Sequence, residues 1–239
     1  MNVLREVLSG WAAETGIKLA EEQLDQFEKF YHMVVETNKS FNLTAIIDEK
    51  EFAVKHLIDS LTCFKAVDVK TGARVLDVGS GAGFPGMPMA IFRTDLQITL
   101  LEATEKRVKF LNMAITGLGL QNVKAVHARA EDFGRGNVFR DKYDVVVSRA
   151  VAPLAVLAEY CLPHLKAGGV FIAMKGPKTQ EEIKTAQNAL AVLGGAVKEA
   201  VDIHLPCTGD ERVLVVISKI KATPDTYPRR AGIPAKKPL

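Results

Sequence analysis

Apolar residues in the first 38 positions recur at helical spacing. Val3, Leu4, Val7, Leu8 and Trp11 form one stripe, and Leu24, Phe27, Phe30, Tyr31, Val34 and Val35 form another. Gly16 separates the two predicted helices, and Asn38-Lys39-Ser40 ends the second. Residues 41–46 are short and irregular. Asp48 with Glu51 three positions later has the form of a capping box, and Val54, Leu57, Ile58, Leu61 and Phe64 mark a third helical face. On that predicted helix His56 and Asp59 share a side.

From Ala73 the period changes to short apolar runs alternating with helical stripes. Strands are predicted at 75–78, 98–101, 123–127, 143–147, 170–174, 197–203 and 213–217. Helices are predicted between them: from Pro85 through Phe92, from a Thr104 cap to Gly117, from about Pro153 to Tyr160, and as one long helix from Thr179 to Leu193. The first five strands alternate with helices and are expected to be parallel. The last two are joined without room for a crossover helix, so the final strand is expected to be antiparallel. The pattern divides the chain into a helical extension packed on the core (1–70), an α/β domain (71–220) and an extended arm (221–239) rich in proline and basic residues.

The stretch Asp77-Val-Gly79-Ser-Gly81-Ala-Gly83-Phe84-Pro85-Gly86 carries the first chemical signal. Strand, glycine loop and helix bring backbone N–H groups close to a ligand. Gly81-x-Gly83-x-x-Gly86 satisfies the dinucleotide fingerprint literally, so a nicotinamide oxidoreductase is one reading. The second takes Asp77 with Gly79-x-Gly81-x-Gly83 as the unit, the pattern of S-adenosylmethionine methyltransferases. That donor carries a positive amine and no pyrophosphate, so an acid ahead of the glycines suits it better. Topology separates the two. Seven strands with the last reversed form the Rossmann-like sheet of class I methyltransferases, whereas a classical dinucleotide domain has six parallel strands.

Ligands of open α/β sheets sit beyond the carboxyl ends of the strands. Glu102 ends the second strand, where a carboxylate can accept both ribose hydroxyls. Ala130 and Glu131 follow the third, beside the expected adenine, and Phe84 is positioned to cover the ligand. Arg149 ends the fourth strand. A cation beside a sulfonium is repulsive unless it also meets a carboxylate or phosphate, so Arg149 is expected to hold one. Lys175 after the fifth strand is a candidate for the same work. The fourth strand lacks the Asn/Asp-Pro-Pro-aromatic run of exocyclic-amine enzymes, and no cysteine lies at a strand end to act as a nucleophile. What remains is an acceptor that needs no covalent help, such as guanine N7.

Composition limits the rest. Apolar residues make up 48 % of 239 positions, and no run approaches the roughly 18 residues of a membrane span. The three cysteines are scattered, which supports neither a disulfide framework nor a metal cluster and makes a reducing cytoplasm the expected compartment. Net charge is +3, but Lys219, Lys221, Arg229, Arg230, Lys236 and Lys237 against Asp225 put +5 in the C-terminal stretch, leaving −2 for the residues before it. A near-neutral body with a basic tail is compatible with a polyanionic partner, and a non-catalytic RNA-binding protein on this fold is a third reading.

These elements together resemble the small-subunit ribosomal RNA guanine-N7 methyltransferases once called glucose-inhibited division protein B. The resemblance runs nearly end to end. It covers Asn42-Leu-Thr44, His56-Leu-Ile-Asp59-Ser60, the glycine loop, Glu102 with Lys106-Arg107, Ala130-Glu131-Asp132, Ser148-Arg149-Ala150, Met174-Lys175-Gly176 and Tyr227-Pro-Arg229-Arg230-Ala-Gly232-Ile-Pro234. It implies methyl transfer from S-adenosylmethionine to N7 of a guanine in the 530 loop of 16S rRNA, at the equivalent of nucleotide 527, on the rRNA or the small ribosomal subunit. It implies donor contacts from Gly79, Phe84, Ala130, Glu131 and Arg149, with Glu102, Ala103 and Thr104 near the ribose; the glycine-loop reading adds Asp77, Gly81 and Gly83 to the donor site. It fixes no catalytic residue. His56, Asp59, Ser80, Arg149 and Lys175 are candidates for positioning the substrate, and Lys175, Arg229 and Arg230 for contacting RNA; no metal or membrane partner is implied.

Overall fold

A computed structural model describes residues 2–136, 138–177 and 179–239. In chain order the elements are α1 (Val3–Thr15), α2 (Glu21–Asn38), α3 (Glu49–Phe52), a π-helical turn (Ala53–Ile58), α4 (Asp59–Leu61), α5 (Cys63–Ala66), β1 (Arg74–Val78), α6 (Gly86–Phe92), β2 (Gln97–Glu102), α7 (Glu105–Leu118), β3 (Val123–His127), α8 (Ala130–Arg135), β4 (Tyr143–Arg149), α9 (Leu154–Cys161), β5 (Leu165–Lys175), α10 (Thr179–Thr185), α11 (Gln187–Leu193), β6 (Gly195–His204), β7 (Glu211–Lys219) and α12 (Ile233–Lys236).

The seven strands form one sheet in the order β3-β2-β1-β4-β5-β7-β6. β1 lies between β2 and β4, with Val75 opposite both Ile98 and Val145. β7 runs antiparallel between β5 and β6, as the short β6–β7 connection requires. Because side chains alternate across a strand, each strand feeds two cores. Leu76, Val146, Ala173 and Val215 face α9 and α11. Val75, Val145, Ile172 and Val216 join the other face, whose core also takes Leu4, Leu8, Phe27, Phe30, Phe52 and Leu57 from the N-terminal helices. With both faces covered, the central strands need continuous apolar runs, and the sequence supplies them.

Four local expectations are corrected. The helix after β2 ends two residues later than predicted, at Gly119 (φ 68°) rather than Gly117, because Gly119 is the residue that adopts the left-handed cap. The helix expected over 179–193 is two helices that meet at the buried Ala186. β5 begins five residues early, at Leu165 opposite Tyr143, with a register shift that takes up Gly168 and Gly169. The C-terminal stretch is no free arm: Arg140 donates to the carbonyls of Thr223, Pro224 and Tyr227, and the segment closes in the short α12 against α9.

Candidate active site

The glycine loop leaves β1 at Val78 and is held from inside. Asp77 is fully buried; its Oδ2 accepts the Gly86 N–H (2.9 Å), and its Oδ1 has no partner. Only glycine fits at position 86, since a Cβ there would lie 2.2 Å from Leu100 and 2.8 Å from the Asp77 carboxylate. Burial raises the Asp77 carboxyl to about 7, opposed by the Gly86 and Ser80 hydrogen bonds. Asp77 therefore works through the loop backbone, which corrects the expectation that it faces a ligand. Ser80 is buried too, its hydroxyl donating to the Asp77 carbonyl (3.1 Å), and is not placed to touch RNA. Gly83 faces Met87 and Leu111 in the core rather than a ligand.

Glu102 ends β2 with both oxygens engaged: Oε2 accepts the Gly81 N–H (2.9 Å) and Oε1 the Thr104 N–H (2.8 Å). It thus ties the loop after β1 to the turn after β2, and Arg107 lies 3.8 Å from Oε2. A carboxylate has about four acceptor sites, so two remain for hydroxyl donors. A cavity of about 140 Å³ opens at the ends of β1, β2 and β3, walled by Gly79, Ala130, Glu131, Tyr160 and the two chain neighbours of Glu102, Leu101 and Ala103. Val151 also lines it, with Cγ2 2.5 Å from where a Gly79 Cβ would stand, so the turn after β4 closes on the glycine loop. Lys175 anchors that turn by donating to the Ala152 carbonyl (2.8 Å) and pairs with Glu182 (2.6 Å). A larger hollow of about 600 Å³, with Met33 and Met113 in its lining, is touched by none of the strand-end residues.

The end of β4 is a second cluster. Arg149 donates to Asp59 Oδ2 and to the Lys55 carbonyl (both 2.8 Å) and has Nη2 3.1 Å from His56 Nδ1, and its guanidinium carbon lies 5.0 Å over the Phe84 ring. His56 Nδ1 also lies 3.2 Å from the Lys55 carbonyl, and its Nε2 is 2.8 Å from Thr44 Oγ1. Burial first, and Arg149 second, lower His56 to about 3, so the ring is neutral. His56 stacks on Phe84 (4.3 Å, 17°), and Phe84 also meets Phe30 and Phe52. Phe84 is therefore an interior aromatic that joins the N-terminal helices to the glycine loop, not a cover over the cavity. Asp59 has Arg212 Nε 3.6 Å from its other oxygen.

Of the basic candidates, Arg229 is spent on Glu159, a carboxylate only 1 % exposed on α9, with Nη2–Oε2 at 2.6 Å. Lys219, counted with the tail, is buried and donates to Leu162 and Thr223. Arg230 remains exposed. Sequence reading missed Thr44, Arg212 and Tyr160. Thr44 meets His56 across 12 residues of chain and Arg212 meets Asp59 across 153 (212 − 59), and only the helical period of α9 could have turned Tyr160 toward Ala130.

The family described as rRNA small subunit methyltransferase G matches residues 23–213. The chain belongs to that family. Relatives named "Ribosomal RNA small subunit methyltransferase G" from Pelotomaculum thermopropionicum and Desulforamulus reducens are 53 % and 54 % identical over 239 residues, covering all of both chains. Among solved structures, a putative S-adenosyl-L-methionine-dependent methyltransferase from Methanococcus maripaludis has the same fold (TM-score 0.57, 18 % identity, 79 % of this chain and 94 % of that one). So does TYW2 of M. jannaschii in complex with AdoMet (TM-score 0.51, 17 % identity, 68 % and 77 %). The enzyme is thus one of rRNA methylation, and the nicotinamide reading falls. No helix among the described residues is long and apolar enough to cross a membrane, and none of those residues form a group suited to a metal ion.

Proposed function

We propose that this enzyme transfers the methyl group of S-adenosylmethionine to N7 of a guanine in the 530 loop of 16S rRNA, at the equivalent of nucleotide 527, in the cytoplasm. The donor, when bound, supplies an electrophilic methyl on a sulfonium. Its adenosine end suits the hollow beside Glu102: about 140 Å³ takes a planar base, and the two free acceptor sites of Glu102 suit ribose hydroxyls. Gly79, Ala103, Ala130 and Glu131 border it, and Gly81 and Thr104 are tied to its edge through their hydrogen bonds to Glu102. Typical small-molecule sites are 300–1,000 Å³, so the hollow holds the adenosine end of the donor and the rest extends past Val151.

The observation that carries the N7 assignment is that, among the described residues, the basic groups beside Arg149 are already engaged. His56 Nδ1 lies 3.1 Å from Arg149 and 3.2 Å from the Lys55 carbonyl, and both Asp59 oxygens face arginines. Burial pushes the Cys63 and Cys161 thiols upward, so neither is a thiolate nucleophile. Guanine N7 carries a lone pair and no proton, and its attack on the methyl needs alignment and a fitting field rather than deprotonation. The test is incubation with labelled S-adenosylmethionine and undermethylated 16S rRNA or small subunits, followed by N7-specific cleavage and primer extension. A stop at one guanine of the 530 loop is expected. Label at an exocyclic amine or ring carbon would overturn the assignment, and no incorporation on either substrate would favour a binding protein.

A further inference from the structure

The C-terminal segment crosses the outside of the wall that borders this hollow, and it is fixed at several points. Arg229 meets Glu159 through Nε (3.0 and 3.1 Å) and Nη2 (2.6 Å), and the Arg229 backbone N–H adds a fourth contact at 2.7 Å. Glu159 precedes Tyr160, a wall residue on α9. Pro228 is buried against Gly134 of α8, where an added Cβ would come within 3.1 Å of its ring. The Gly232 N–H then donates to Glu131 Oε1 (2.8 Å), and Glu131 is itself a wall residue. Upstream, Thr223 is pinned by Lys219 and by its own bond to the Leu193 carbonyl (2.7 Å).

We infer that residues 223–234 are a strap that holds α8 against α9 and sets the carboxylate of Glu131, with Arg229 a positioning residue for donor binding. The inference rests on the donor reading of the hollow given above. Its physical basis is that Glu131 and Tyr160 come from two different short helices, α8 and α9, so the shape of the wall depends on how the two are held together. The strap spans both, with a bidentate ion pair on one and a backbone hydrogen bond on the other. A bidentate guanidinium–carboxylate pair fixes orientation as well as distance. Releasing it lets Gly232 withdraw from Glu131, which leaves that carboxylate free to turn and the wall free to widen.

Calorimetric titration with S-adenosylmethionine and S-adenosylhomocysteine tests this on the full chain, in wild type, Arg229→Ala, Arg229→Lys and Arg229→Ala with Glu159→Gln. The double variant leaves no bare carboxylate in the interior. Arg229→Ala and the double variant are expected to raise both dissociation constants about tenfold, and Arg229→Lys less. The donor KM should rise in step while kcat at saturating donor stays level. By linkage, saturating S-adenosylhomocysteine should slow tryptic cleavage after the exposed Arg230 of wild type. Variants that melt earlier yet bind as tightly as wild type would make the strap purely structural and overturn the inference. If the variants fail to fold, an unchanged cleavage rate in wild type overturns it instead. Absence of donor binding by wild type removes the donor reading and the strap together, whereas equal binding by all four proteins removes the strap alone.

Discussion

Replacing Arg149 with Ala strips the cation from a carboxylate that has almost no access to water. Asp59 is 1 % exposed, and Arg149 supplies the only hydrogen bond of its carboxylate among the described residues, at 2.8 Å. Removing one partner of a buried pair costs about 3–5 kcal/mol. Here Arg212 remains 3.6 Å away and the Arg149 side chain keeps 15 % of its exposure, so the expected loss is about 2–4 kcal/mol. Urea unfolding followed by the fluorescence of Trp11, the sole and buried tryptophan, reads it. Adding Asp59→Asn should recover about 1–3 kcal/mol, since the uncompensated charge is gone. A second readout separates electrostatics from packing. His56 titrates near 3 in the fold against 6.5 ordinarily, so the unfolded chain takes the proton first and stability falls as pH drops from 6.5 toward 3. Without Arg149 the folded value should rise, though burial keeps it below 6.5, and the acid loss should begin to level off at a higher pH. A variant as stable as wild type, with the His56 resonance titrating unchanged, would refute the account of this cluster.

Two further changes probe the neighbouring parts. Glu102→Ala removes the shared acceptor of the Gly81 and Thr104 N–H groups along with the sites left for ribose; donor affinity should fall by about 1–3 kcal/mol, roughly 5- to 150-fold, and an unchanged dissociation constant would exclude Glu102 from donor binding. Arg230→Ala should lower the slope of log affinity for 16S rRNA against log salt by about one phosphate contact, while Arg229→Ala leaves that slope alone; a slope that responds to Arg229 and not Arg230 would reverse the assignment drawn from the Glu159 ion pair.

The sheet was legible because its evidence is local. Strands buried on both faces must read as unbroken apolar runs, and the ends of those runs pointed to Glu102, Ala130, Arg149 and Lys175 without any tertiary information. What was illegible is what those side chains bond to. Glu159 precedes Arg229 by 70 residues and Asp59 precedes Arg149 by 90, and nothing in local composition links either pair. A basic, proline-rich ending looks like a solvated arm until the buried carboxylate that captures it is seen. The π-helical turn at 53–58 escaped for a related reason: a single wide turn alters the facing of His56 without disturbing the apolar stripe around it.

The arrangement also explains how one edge of a sheet can receive a cationic donor and a polyanion together. Glu102 ends β2 and Glu131 follows β3 in α8, on one side of β1, and Glu131 lines the hollow there. Arg149 and Lys175 lie at the ends of β4 and β5 on the other side, with Arg212 near the start of the antiparallel β7. Asp59 offsets one of these cations and Glu182 another, so the cationic side keeps an excess without confronting the sulfonium with a bare guanidinium. On the proposed reading the donor belongs to the first side and the phosphates of RNA to the second. Topology sets this up: strand order reverses at β1, so acids encoded after β2 and β3 and bases encoded after β4 and β5 are sorted to opposite flanks by the chain path alone.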